Sequence, residues 1–227
     1  MKIIDAHSHI DYITHKHQSD VVGTVCCATA ENQWVELINL INADKNIFGA
    51  FGIHPWFIEN VSDDFDLRLE KLLQTDSGYM IGEIGLDKYK PDMDKQLYVF
   101  VKQFDVAVKL KRTVFLHCVG AWDKILHVLK QYKTSELPII VAHAFSGSDD
   151  IVNKLLQYDN IFFSFNKIDT NGRNSRIEHI SDDKILVETD GKSNIILTDL
   201  INQIARIKNK SNMGEIIFDN TQRLLKK

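Results

Sequence analysis

Short apolar, β-rich runs alternate along the chain with longer stretches whose apolar residues recur at helical spacing, a pattern that predicts βα units around a parallel sheet. Eight runs read as strands, near residues 3–5, 22–28, 47–52, 79–84, 113–118, 138–143, 161–165 and 185–189. Four apolar stripes mark helix faces between them: Trp34, Leu37, Ile38 and Ile41; Leu97, Val101, Phe104 and Val108; Trp122, Ile125, Leu126 and Leu129; Leu197, Leu200, Ile201 and Ile204. Helix starts are expected after Asp63-Asp64 and after Pro91-Asp92. The pattern predicts a single-domain (β/α)8 TIM barrel over residues 1–227, with its active site at the C-terminal ends of the strands.

The polar residues that close these runs carry the chemistry. The segments IIDAHSH, MIGE, VFLH, IIVAH and ILVETD bring His7, His9, Glu83, His117, His143 and Asp190 to or just past the ends of separate strands. A buried strand ending in an unpaired imidazole or carboxylate is costly unless something binds that group, and a divalent cation is the usual partner. In His7-Ser8-His9 the two imidazoles share one face of a strand, which suits chelation of one ion. Taken singly, each histidine also reads as a core residue satisfied by a backbone carbonyl. Core histidines have no reason to prefer strand C-termini, however, so the agreement among six positions favours metal. His54, in Gly-Ile-His-Pro at the end of the third run, reads equally as a turn residue or a substrate contact. His15, His17, His127 and His179 have no such placement and read as surface residues.

Composition narrows the setting. At 227 residues, 44% apolar and 26% charged, the chain is expected to fold around one sizeable core. A net charge of -4 gives no general attraction to nucleic acid, so any phosphate contact must be local. Asp5 and His7 arrive before a signal-peptide core could form and no run approaches a membrane span, so a cytoplasmic location and no membrane partner are expected. Nothing marks an obligate protein partner. Eleven glycines and three prolines leave no linker, repeat or low-complexity segment. Cys26, Cys27 and Cys118 form no even disulfide framework. The adjacent pair should point to opposite faces of its strand, and Cys118 away from the site if His117 faces in. Buried free thiols are expected.

The ordered segments IDAHSHID, GIHP, GEIGLDKY, LHC, HAFSG, ETD and DNTQRLL resemble the successive motifs of the TatD family of metal-dependent hydrolases, in the amidohydrolase superfamily, from residue 3 to residue 225. The resemblance implies a TIM barrel with a two-metal site and DNase or other phosphodiesterase activity. It implies that His7 and His9 bind the first metal, His117 and His143 the second, and that Glu83 bridges them. Asp190 would bind the first metal and take the proton from the attacking water. The residues' own chemistry agrees: two divalent ions about 3.5–4 Å apart lower the pKa of a shared water and neutralise both attacking and leaving oxygens. Glu83 suits a bridge because it offers two oxygens, and Asp190 can move a proton to the leaving group. A structural zinc site would favour four closed ligands, often cysteines, over six dispersed histidines and carboxylates. Zinc, magnesium and manganese all remain open, since histidines favour the first and carboxylates tolerate the harder ions.

Departures from the family pattern bear on substrate. Where the family commonly carries an Arg and an acidic residue after the fifth-strand histidine, Val119 and Gly120 follow His117-Cys118, so a phosphate-gripping side chain is missing. After Asp190 the chain reads Gly191-Lys192-Ser193-Asn194 without the usual Pro- and Arg-containing loop, which removes a wall of the cleft. Lys192 reads as a solvated loop lysine or as a replacement for some of the lost charge. Ala144 replaces a cysteine, and Ser146 stays available for a substrate hydrogen bond. Lys167, Arg173 and Arg176 read as a solvated face or a basic rim, and Trp56, Phe57 and Phe145 as loop packing or base stacking. The expected function is cleavage of a phosphodiester at a DNA end, single strands preferred because the barrel mouth admits a strand end more readily than a duplex. A metallohydrolase of a small phosphoester, ester or amide is the alternative. A metal-binding protein with little turnover is the third reading, against which Glu83 and Asp190 both speak.

Overall fold

The barrel is built by strands that pair in sequence order, each parallel to the next: β1 (Ile3–His9), β2 (Val21–Cys27), β3 (Ile47–Phe51), β4 (Met80–Asp87), β5 (Val114–Val119), β6 (Ile140–Ala142), β7 (Ile161–Phe165) and β8 (Ile185–Val187). The computed structural model describes residues 1–13, 18–168 and 175–225, the side chain of Ser175 excepted. The expected surface residues His15 and His17 and the rim residue Arg173 lie outside the described residues. Helices α1 (Trp34–Ala43), α2 (Phe65–Leu73), α3 (Met93–Leu110), α4 (Trp122–Leu129), α5 (Asp149–Leu155), α6 (Ser175–His179), α7 (Leu197–Lys208) and α8 (Met213–Leu224) complete the (β/α)8 architecture. None among the described residues is long and apolar enough to cross a membrane.

Side-chain alternation along the strands separates two cores. Val25, Cys27, Ala50, Phe115, Val141, Phe162 and Leu186 fill the barrel interior, while Cys26, Leu116, Cys118, Ala142, Phe163 and Val187 face outward against the helices. All three cysteines are buried and free, with Cys26 and Cys27 on opposite faces and Cys118 turned away from His117. One inward step beyond the apolar layer, the pleat delivers His117 above Phe115, His143 above Val141 and Glu188 above Leu186. The site is therefore the polar top layer of the interior. β1 and β4 reach it differently: their registers shift between Asp5 and Ser8 and between Ile81 and Ile84, at the positions of His7 and Glu83. Such irregularities re-aim side chains at barrel rims. Gly85 allows β4 to approach β5 closely, since a Cβ there would sit 1.8 Å from the His117 carbonyl oxygen.

Between β8 and β1 the barrel is tied by residues that follow β8. The Asp190 N–H donates to the His7 carbonyl at 3.0 Å, and the Asp5 carboxylate accepts the Thr189 N–H at 2.9 Å and hydroxyl at 2.7 Å. At the opposite end, α8 inserts Leu224 and Leu225 beneath the interior core, and Asn220 Nδ2 donates to the carbonyls of Asp182 (2.8 Å) and Ile185 (2.9 Å). The terminal DNTQRLL segment thus closes the barrel floor.

The expected elements differ from the observed ones mainly at their ends. β1 and β4 run on through His9 and Asp87 because both keep a partner strand there. β6 and β8 stop at Ala142 and Val187, although His143 and Glu188 still donate backbone bonds to Leu116 and Phe165. Asp92 caps α3, accepting the Lys95 N–H at 3.1 Å, whereas Asp64 precedes α2 without a capping bond and pairs with Arg68 instead.

Candidate metal centre

Five imidazoles converge on one buried carboxylate. Glu83 Oε2 faces His7 Nε2 at 3.3 Å and His9 Nε2 at 3.6 Å, while its Oε1 faces His117 Nδ1 at 2.7 Å, His143 Nε2 at 2.9 Å and His54 Nε2 at 3.2 Å. Asp190 joins the first group through Oδ1, 3.4 Å from His9 Nε2 and 4.0 Å from His7 Nε2. All six residues expected as ligands, and His54, are therefore brought together, with one oxygen of Glu83 serving each of two sets. Groups of atoms close enough to share an ion include His7, His9 and Glu83, and also His7, His143 and Asp190.

Hydrogen bonds on the far side of each ring decide which imidazole offers a lone pair. His9 Nδ1 lies 3.3 Å from the Cys27 carbonyl oxygen and His143 Nδ1 lies 2.9 Å from Glu188 Oε1; each is an acceptor-only partner that fixes the proton on Nδ1. When these rings are neutral, as metal binding requires, their Nε2 atoms turn lone pairs into the site. His7 Nδ1 faces the Cys27 thiol at 3.4 Å, and burial pushes that thiol well above its ordinary range and keeps it neutral. His7 Nε2 is buried with no hydrogen-bond partner. His54 has the opposite arrangement. Its Nδ1 accepts the backbone N–H of Trp56 at 3.1 Å, so the neutral ring carries its proton on Nε2 and faces the site as a donor. His54 thereby faces Glu83 as a hydrogen-bond donor, and it also caps the 3₁₀ turn Pro55–Phe57, in keeping with the turn reading.

Electrostatics follow from this packing. Burial would raise the Glu83 carboxyl, but the charges of His143 and His54 and the hydrogen bond of His117 outweigh it and hold the group well below its usual range. Burial would lower His143, yet Glu83 and Glu188 hold it well above an ordinary imidazole. Burial and the neighbouring His143 lower His7, and burial lowers His54 despite Glu83. His9 is raised because the Asp190 hydrogen bond and Glu83 overcome its burial. Raised imidazoles stabilise the fold below the free value of 6.5, a contribution lost as pH rises through their folded values. Metal-free protein is accordingly expected to lose thermal stability as pH rises above 6.5, while metal-loaded protein gains as metal replaces the protons. Melting temperatures of both forms across that range check this; a gap between them that does not widen with pH would contradict it.

Asp190 takes a left-handed backbone conformation (φ 53°), followed by Gly191 (φ 69°). A Cβ on Gly191 would press within 3.3 Å of Tyr12 and 3.5 Å of His9, so the short turn after β8 depends on glycine. Asp190 Oδ2 accepts Asn166 Nδ2 at 3.2 Å and pairs with Lys192. Lys192 is exposed, as expected of a loop lysine, and it also pairs with Asp190. Phe145 is buried against Trp122, Phe163 and Phe165, which removes it from the candidates for base stacking. Ser146 is exposed after β6, as are Lys167, His127 and His179, and Arg176 donates to the Gly147 carbonyl at 2.7 Å.

Sequence reasoning assigned no role to Glu188, Asn166 or Asp87. Glu188 is fully buried and takes both His143 Nδ1 and the Ala144 N–H (2.8 Å), fixing the ring that faces Glu83. A carboxylate at the inward position of a buried strand end is the signal that marks it. Glu188→Ala is expected to weaken metal affinity by about 10–100-fold, read by chelator competition; unchanged affinity would show that His143 is held by its packing alone.

A (β/α)8 barrel with imidazoles and carboxylates gathered at its strand ends defines a metal-dependent hydrolase. The family model described as TatD related DNase matches residues 4–226, and the chain belongs to the TatD family. Human 3′-5′ RNA nuclease TATDN2 is 30% identical over 165 residues, a match that spans 69% of this chain and 21% of that protein. The 3′-5′ ssDNA/RNA exonuclease TatD of Musicola paradisiaca is 25% identical, with 94% of this chain and 90% of that protein covered. The crystal structure of YjjV, a TatD homologue from Escherichia coli, superposes with a TM-score of 0.86 at 20% identity, covering 98% of this chain and 97% of that one, a likeness of fold.

Proposed function

We propose that this protein uses two divalent ions to hydrolyse a phosphodiester bond at the end of a single-stranded nucleic acid. The observation that carries the reading is the division of Glu83, one oxygen toward His7 and His9 and the other toward His117 and His143. The donor set fits the metals. His7 Nε2 is a buried nitrogen without a hydrogen-bond partner, a cost that a cation removes. His7 Nε2, His9 Nε2, Asp190 Oδ1 and Glu83 Oε2 would hold the first ion, and His117 Nδ1, His143 Nε2 and Glu83 Oε1 the second. When bound, the ions would supply Lewis acidity, lowering the pKa of water and neutralising charge on the phosphoryl oxygens. The imidazole majority favours zinc, and the two carboxylates tolerate magnesium or manganese.

The chain's own residues supply the remaining steps. Asp190 and His9 are the most open members of the cluster, with 17% and 26% of their side chains exposed, so water and substrate enter from the β1–β8 side. Asp190 accepts the proton of the attacking water and returns it to the leaving oxygen. His54 Nε2–H donates to a non-bridging phosphoryl oxygen, and Ser146 contacts the substrate from the loop after β6. Relatives named as nucleases of RNA or of single-stranded DNA and RNA support the substrate class. Metal-reconstituted protein should cleave 3′-labelled and 5′-labelled single-stranded oligonucleotides, and which label is shortened first gives the polarity. Absence of cleavage by protein shown to hold metal would move the substrate to small phosphoesters, esters or amides. That second reading is favoured by Val119 and Gly120, which stand where the family commonly carries an Arg and an acidic residue.

A further inference from the structure

Trp34 and Trp122 are buried, but Trp56 exposes 53% of its surface on the 3₁₀ turn Pro55–Phe57 that follows β3. An exposed indole with nothing to hold it would be an ordinary loop residue. This one is held. Its Nε1–H donates to Asp87 Oδ2 at 2.7 Å, and the buried Asp87 also takes the Tyr89 N–H on Oδ1 at 2.9 Å. The Asp87 backbone is clamped in turn by the Gln96 amide from α3, whose Oε1 accepts its N–H at 2.8 Å and whose Nε2 donates to its carbonyl at 3.1 Å. The single polar group of the indole is thus consumed inward, and the ring is left as a fixed aromatic surface.

That ring stands beside the metal cluster. Its centroid is 5.2 Å from His54, edge-on at 83°, and 6.4 Å from His117. On its face the exposed Lys90 ammonium sits 4.1 Å from the centroid. An aromatic plane, an exposed cation above it and a cluster of imidazoles at its edge match the three parts of a nucleotide: base, flanking phosphate and scissile phosphate. A base sliding onto the indole displaces Lys90 from the ring toward the adjacent phosphate. We propose that Trp56 is a base-stacking subsite for the nucleotide next to the scissile bond, with Lys90 pairing its flanking phosphate. Stacking uses the π-face common to all bases, so the subsite selects for the presence of a base and is indifferent to its identity. The inference rests on the nucleic-acid reading given above.

The test compares a short thymidine oligonucleotide with an abasic strand of equal length, on metal-reconstituted wild type, Trp56→Ala and Trp56→Phe. Melting temperatures confirm that each variant is folded. Wild type is expected to show a KM about tenfold or more lower for the base-bearing strand. Trp56→Ala should lose that preference and Trp56→Phe should keep most of it. In chelator, the base-bearing strand should quench the exposed indole's fluorescence and the abasic strand should not. Cleavage of both strands by wild type with equal KM, or an undiminished preference in Trp56→Ala, would overturn the subsite while leaving the nuclease reading in place. Hydrolysis of bis(p-nitrophenyl) phosphate by wild type that cleaves neither strand would overturn both together.

Discussion

Glu83→Ala is expected to abolish metal-dependent hydrolysis, a loss of at least about 10³-fold, because one side chain serves both halves of the cluster. Five imidazole nitrogens lie within 3.6 Å of its oxygens, and the other carboxylates on the His117–His143 side, Asp87 and Glu188, meet those rings at their far nitrogens. Within 4.0 Å, Asp190 Oδ1 meets only His7 and His9 among these rings, so first-site binding should survive in part while second-site binding is weakened most. Metal content per chain, measured after dialysis, should therefore fall before any assay of activity. The substitution also acts on the metal-free fold. Glu83 and Glu188 together hold His143 charged in the interior, and removing Glu83 leaves that charge half-compensated. Breaking such a buried pair costs about 3–5 kcal/mol. The sign with pH follows: His143 can shed its proton more easily once Glu83 is gone, so the destabilisation relative to wild type should shrink as pH rises above 6.5. Urea unfolding of both metal-free proteins at pH 6 and pH 9 reads this directly. Retention of full activity and two metals in Glu83→Ala would end the bridging assignment.

The strand ends were legible because buried polar residues recur there with a simple rule: an apolar run, then a ligand type. Phe115-Leu116-His117 and Val141-Ala142-His143 follow it, since the pleat carries the second residue after an interior apolar side chain back to the interior. The rule does not tell His54 from its neighbours. What separates His54 is the backbone N–H of Trp56 at its Nδ1, a turn geometry that residue identity alone does not specify. Glu188 was hidden for a different reason: its partner His143 lies 45 positions away, and a carboxylate that orients a ligand looks like one that is a ligand. The pairing of exposed Lys192 with Asp190 was not legible because it depends on the left-handed turn at Asp190-Gly191, which brings the two side chains together. α8 was not among the expected apolar stripes; its inward face includes Gly214, Asn220 and Thr221, whose roles are close packing and hydrogen bonding. Register shifts in β1 and β4 likewise leave no mark in an apolar pattern, yet they aim His7 and Glu83.

Asp190→Asn is expected to lower kcat by about 10²–10⁴-fold while most of the metal stays bound. The two oxygens of Asp190 have separate tasks. Oδ1 turns toward His9 and His7, and Oδ2 is held by Asn166 and Lys192 at the mouth. Burial would raise this carboxyl, but the His9 hydrogen bond, His143, His7 and Lys192 hold it far below its usual range, so it is ionised at every working pH and begins the cycle able to accept a proton. An asparagine keeps the shape and one oxygen for the first site, yet accepts no proton, so the deficit should appear in kcat with KM nearly unchanged. Lys192→Ala, made in parallel, separates charge from proton handling: it frees Oδ2 without removing the acceptor, and its effect should stay within about tenfold. Equal losses in Asp190→Asn and Lys192→Ala would mean that the ion pair, and no proton transfer, is what Asp190 contributes. A deficit confined to Asp190→Asn, with metal retained, assigns the proton to its carboxylate.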